Sequence, residues 1–104
     1  MEYKVIYHIG EQAGLTTKGL SGRVLLEEDI LIVDGPDGLT IPYSAVHQVE
    51  IFRQHGGGSL IKLQTSDTCV FVTVPRLNVF GWFAIINYFK THELFNAIKQ
   101  RTVA

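Results

Sequence analysis

One cysteine among 104 residues leaves no partner for an internal disulfide, so a packed core and not a covalent staple must hold this chain together. Charge of either sign is scarce as well. Nine Lys and Arg stand against ten Asp and Glu, a net of -1, so there is no broad basic field to gather nucleic acid or an anionic membrane. No run reaches the roughly 18 uncharged apolar residues that a membrane-crossing helix needs, and the opening stretch from Met1 to Ile6 lacks the long apolar core of a secretory signal. A reducing, cytoplasmic setting is the expectation. What the chain does have is 46% hydrophobic residues with only 18% charged, a composition that folds and does not stay disordered. At this length it builds one core, so residues 1–104 are read as a single domain.

Up to residue 74, β-branched and aromatic residues come in short runs punctuated by Gly, Asp, Pro and Ser, the pattern of successive strands. In the first run, 3–9, Tyr3, Val5, Tyr7 and Ile9 share one face and Lys4 and His8 the other. Further strands are expected at 19–27, 30–33, 39–41, 46–53, 59–65 and 69–74, seven in all. Asp34-Gly35-Pro36-Asp37-Gly38 is a turn cluster, because Pro fixes φ at one position and Gly permits positive φ at others. Pro42 cannot donate to a sheet ladder, so the chain should leave the sheet there and re-enter at Val46. Every connection is too short for a parallel crossover, which takes about a dozen residues, so the sheet should be an antiparallel meander.

After Pro75 the β-type turn signals stop and apolar residues crowd together from Leu77 to Phe89. A helical segment over 77–100 is predicted. At about 100° per residue, Trp82, Ile85, Ile86 and Phe89 form one stripe, while Leu94, Phe95 and Ile98 point nearly the opposite way. One straight helix cannot bury both, so a break is expected near Thr91, with Thr91 as the N-cap of the second half and Glu93 in its first turn.

The run 22–33, Gly-Arg-Val-Leu-Leu-Glu-Glu-Asp-Ile-Leu-Ile-Val, resembles the second-to-third strand hairpin of small bacterial pleckstrin-homology and GRAM-like domains. Ile41-Pro42-Tyr43-Ser44-Ala45-Val46 resembles the I-P-[YW]-S-x-I link into their fifth strand. The resemblance covers nearly the whole chain. It implies a mainly β fold, a seven-stranded antiparallel, partly open barrel of four plus three strands, capped by a C-terminal helix. It also implies that Trp82 plugs the barrel, and Ile86, on the same helical stripe, is expected to be buried beside it. Members that bind phosphoinositides share a K-x(n)-[KR]-x-R pattern across the first two strands, and here only Lys4, Lys18 and Arg23 fall in that region, without the closing pair.

Chemistry is sparse. Gly19-Leu20-Ser21-Gly22-Arg23 approaches a nucleophile elbow, but Arg23 replaces the final glycine and the segment reads as strand, where an elbow joins strand to helix. Cys69 heads an apolar strand and reads as a small buried hydrophobe. His8, His47, His55 and His92 are not paired with Cys, His or carboxylate at ligand spacing, so no metal or other cofactor is expected. Gly56-Gly57-Gly58 is a hairpin tip without the Lys-Ser/Thr of a phosphate loop. Glu27-Glu28-Asp29 reads as a solvated corner, and Lys99 and Arg101 as complements to a helix C-terminus. No enzyme is expected.

The apolar stretch before Phe89 is the oddity. Only Asn78, Gly81 and Asn87 interrupt it, so a helix there would be apolar on nearly all sides, while capping a barrel buries one. In one reading Phe80, Phe83 and Tyr88 pack against loops of the same domain. In the other, Leu77, Phe80 and Ala84 form an exposed arc that meets a protein partner or a second copy of the chain. Insertion into a membrane surface is the weakest reading, since an interfacial helix carries a basic face that this segment lacks. The function expected is a non-catalytic interaction or self-association module. The alternative is a small-ligand or lipid-headgroup binder that uses Lys18 and Arg23.

Overall fold

The computed structural model describes residues 2–10, 19–53, 59–77, 85–86 and 88–102, with 52, 53, 75–77, 85, 86 and 88 described by their backbone. Seven strands are β1 (Glu2–Ile9), β2 (Leu20–Leu26), β3 (Ile30–Asp34), β4 (Leu39–Pro42), β5 (Val46–Arg53), β6 (Ser59–Thr65) and β7 (Cys69–Thr73). They form one antiparallel sheet in the order β4-β3-β2-β1-β7-β6-β5, curled into a nearly closed barrel. Among the described residues the fold is mainly β, four strands and then three, with one α-helix, α1 (Tyr88–Arg101), at the C-terminal end. Return of β7 to the free side of β1 joins the two halves, with Tyr7 opposite Val72 and Ile9 opposite Val70.

Alternation places the core. Tyr3, Val5 and Tyr7 of β1, Val24 and Leu26 of β2, Leu31 and Val33 of β3, and Ile61 and Leu63 of β6 are all buried in one cluster, the inward half of a period-2 pattern. A second, smaller cluster sits on the opposite face of β6 and β7, where Leu60, Cys69 and Phe71 are buried together. Cys69 is thus a packing residue, as its apolar setting led one to expect.

The connections are closed by their own chemistry. In the β3–β4 hairpin the Gly38 amide donates to the Gly35 carbonyl at 3.0 Å, and Asp37 takes the left-handed conformation at φ 54° that its short polar side chain tolerates. Thr65 ties the β6–β7 turn, its hydroxyl oxygen accepting from the Thr68 amide at 3.0 Å. Between β4 and β5 runs a single 3-10 turn, Tyr43–Ala45, where Pro42 was expected to release the chain. Tyr43 fastens that turn to the β2–β3 corner, its hydroxyl donating to the Glu27 carbonyl at 2.9 Å and its amide to that of Asp29 at 3.2 Å.

The segment after Val74 departs from expectation. Pro75 does not end the extended chain but begins β8 (Pro75–Leu77), which pairs antiparallel with β9 (Ile85–Ile86), Pro75 opposite Ile86. Leu77, Ile85 and Ile86 are therefore strand and not helix. The first residue of a strand tolerates Pro, and two adjacent β-branched residues favour extended backbone. The helix α1 begins at Tyr88 and runs unbroken to Arg101, so there is no break at Thr91 and Thr91 is no N-cap. Of the first stripe, Ile85 and Ile86 lie in β9 and only Phe89 enters α1 beside Leu94, Phe95 and Ile98. Thr91, Leu94, Ala97 and Ile98, at i, i+3, i+6 and i+7, form the buried face of α1, which packs on β5 and β6. Phe89 points away from that face and is 88% exposed. Trp82, expected to plug the barrel, lies outside the described residues.

Candidate functional site

Among the described residues, chemistry-bearing side chains converge at the junction of α1 with the barrel. Thr91, His92 and Glu93 are consecutive, and each reaches a different part of the sheet. Thr91 is fully buried. Its hydroxyl oxygen accepts from the Val74 amide at 3.1 Å and donates to the Val74 carbonyl at 3.4 Å. His92 Nε2 lies 3.2 Å from Ser59 Oγ at the start of β6. The Glu93 carboxylate accepts from the Tyr3 hydroxyl of β1 at 2.8 Å and pairs with Lys90 at 3.4 Å. Thr73 completes the seam, donating to the Ser59 carbonyl at 2.9 Å. Ser59, Thr73 and Thr91, the buried polar side chains of the described residues, all belong to this one junction.

The electrostatics follow from burial. Desolvation pushes the Tyr3 phenol up to about 12, the neighbouring Glu93 carboxylate adding to the shift and Arg101 opposing it. Glu93 is held below the usual carboxylate range, chiefly by the hydrogen bond from Tyr3, with Lys90 assisting against partial desolvation. A serine hydroxyl beside an imidazole is the beginning of a nucleophile and base, but Ser59 is 2% exposed and a substrate cannot reach its oxygen. The pair locks helix to barrel. Sequence reasoning missed it because the two residues are 33 positions apart and neither stands in a motif.

Arg23, the cation assigned to the ligand-binding alternative, lies on β2 opposite Lys4 on one side and Asp34 on the other. Its guanidinium is engaged by Asp34 at 2.9 Å and Glu2 at 3.5 Å, and these carboxylates raise its pKa further. Lys18, its expected companion, lies outside the described residues. A shallow open depression of about 260 Å3 lies beside this triad, lined by Ile32, Asp34, Leu39 and Thr40 among others. The Asp34 carboxylate on its wall and Asp37 in the adjoining turn disfavour an anionic guest.

Of the interface candidates, Leu77 stands in β8, while Phe80 and Ala84 lie outside the described residues. Ser21 sits within β2 opposite Ile6, in a strand and not at a strand-to-helix elbow. His8 lies with its ring centroid 6.3 Å from that of Phe71, and His47 is exposed on β5. His55 and the Gly56 to Gly58 tip lie outside the described residues. Glu27, Glu28 and Asp29 form an exposed corner. Lys99 and Arg101 occupy the last turn of α1, where Arg101 donates to the Ala97 carbonyl at 2.9 Å, as cations at that end should. Among the described residues no three His, Cys, Asp or Glu side chains come together as a metal site, and no helix is long and apolar enough to cross a membrane.

The fold and its junction define a small β-barrel module with a polar seam fastening one helix. Comparison with family models and with curated proteins finds no match to this chain.

Proposed function

We propose that this chain is a non-catalytic interaction module of the pleckstrin-homology-like kind, working in the cytoplasm, and that it binds a protein partner or a second copy of itself through the apolar stretch leading into α1. The order of four strands, a Pro-containing link, three strands and a terminal helix supports the first half of this reading. The observation that carries the second is Phe89. A phenylalanine 88% exposed in the first turn of a helix, at the end of a stretch from Leu77 with only three polar or small interruptions, supports an apolar contact with a partner. Symmetric pairing hides such surface economically, because one patch serves both copies.

The mass in solution tests the proposal directly. Sedimentation or light scattering across a concentration series should show a species above the monomer, and Phe89→Asp or Phe80→Asp should return it to monomer with the barrel still folded. A wild-type monomer at the highest concentration, together with no protein partner whose binding either substitution weakens, overturns it. The alternative reading, a small-ligand or lipid-headgroup site at Lys18 and Arg23, is disfavoured by the two carboxylates on Arg23. It gains support only if anionic vesicles bind the chain tightly and lose it with salt or with Lys18→Gln.

A further inference from the structure

We draw no further inference here: the strongest candidate, the edge of β5 that no strand among the described residues pairs with, carries nothing because nothing in the structure shows what covers it.

Discussion

Thr91 and Val74 satisfy one another: the Val74 amide donates to the Thr91 hydroxyl oxygen at 3.1 Å, and that hydroxyl faces the Val74 carbonyl at 3.4 Å. Val74 follows the last residue of β7, where the sheet ladder has ended, and it is itself buried. Its amide and carbonyl would otherwise be stranded away from water. A threonine in a helix interior often bonds back to its own helix; this one reaches across to the barrel and so sets where α1 docks.

Thr91→Val keeps the shape and removes the hydroxyl. With two buried backbone groups left unpaired, the cost should be about 1–3 kcal/mol in denaturant melts, and hydrogen exchange at the Val74 amide should accelerate. Thr91→Ser, which retains the oxygen, should recover most of the loss. Destabilisation by Ser with little or none by Val would show that the methyl packing and not the hydrogen bond matters here.

The pair of Tyr3 and Glu93 predicts two separable pH limbs. Folding raises the Tyr3 phenol to about 12, so that contribution is complete below the unfolded phenol value near 10 and is lost as pH rises through the folded value. Burial raises Tyr7 and Tyr43 in the same direction, so the alkaline limb is shared by three phenols. Glu93 is shifted down, so its contribution is present above the ordinary carboxyl value and is lost as pH falls through the folded one. Urea melts across the pH range should therefore show Tyr3→Phe reducing both limbs and Tyr43→Phe reducing the alkaline limb alone. An acid limb in Tyr3→Phe identical to wild type would sink the assignment. Glu93 is half exposed, so salt should weaken this limb first.

Gly22 is required by close approach. It pairs with Val5 across β1–β2, and a methyl there would press on the Asp34 carbonyl oxygen and stand 2.7 Å from the Tyr7 ring. Tyr7 cannot yield easily, since it is 1% exposed and its hydroxyl donates to the Pro36 carbonyl. Gly22→Ala should lose about 1–3 kcal/mol by overpacking, with chemical-shift changes reaching both β1 and the β3–β4 hairpin. A thermal midpoint within error of wild type would mean that the two strands can part without cost.

These strands were legible because each signal was local. Tyr3, Val5 and Tyr7 alternate with Lys4 within a single strand, and Gly35 to Gly38 mark a turn by backbone preference alone. The stretch from Pro75 to Phe89 was not legible, since a continuous apolar run satisfies a period of 2 and a period of 3.6 equally well. What decides it is pairing of Pro75 with Ile86, a cross-strand contact between residues eleven apart that periodicity alone does not register. The polar seam was hidden for the same reason. Thr91 reads as a helix cap from its neighbours, and only the docking of α1 against the barrel brings its hydroxyl to the backbone of Val74. At Arg23 the sequence displayed a cation; the register of β1, β2 and β3 supplied the carboxylates that occupy it.

The two faces of α1 should respond oppositely to substitution. Leu94 is fully buried in the main cluster with Ala97 and Ile98, so Leu94→Ala removes apolar burial and leaves a cavity under the helix. A loss of about 2–5 kcal/mol is expected, large against the total stability of a domain this size. Phe89, five residues earlier and about 140° away around the helix axis, touches solvent instead. Phe89→Ser should change the stability of the monomeric fold by no more than about 0.5 kcal/mol. If the exposed ring serves a partner, the substitution acts on assembly alone, so denaturant midpoints measured at low protein concentration should match wild type while those at high concentration diverge. A Phe89→Ser chain as unstable as Leu94→Ala at every concentration would place the ring in its own core and remove the apolar surface on which the interaction reading stands.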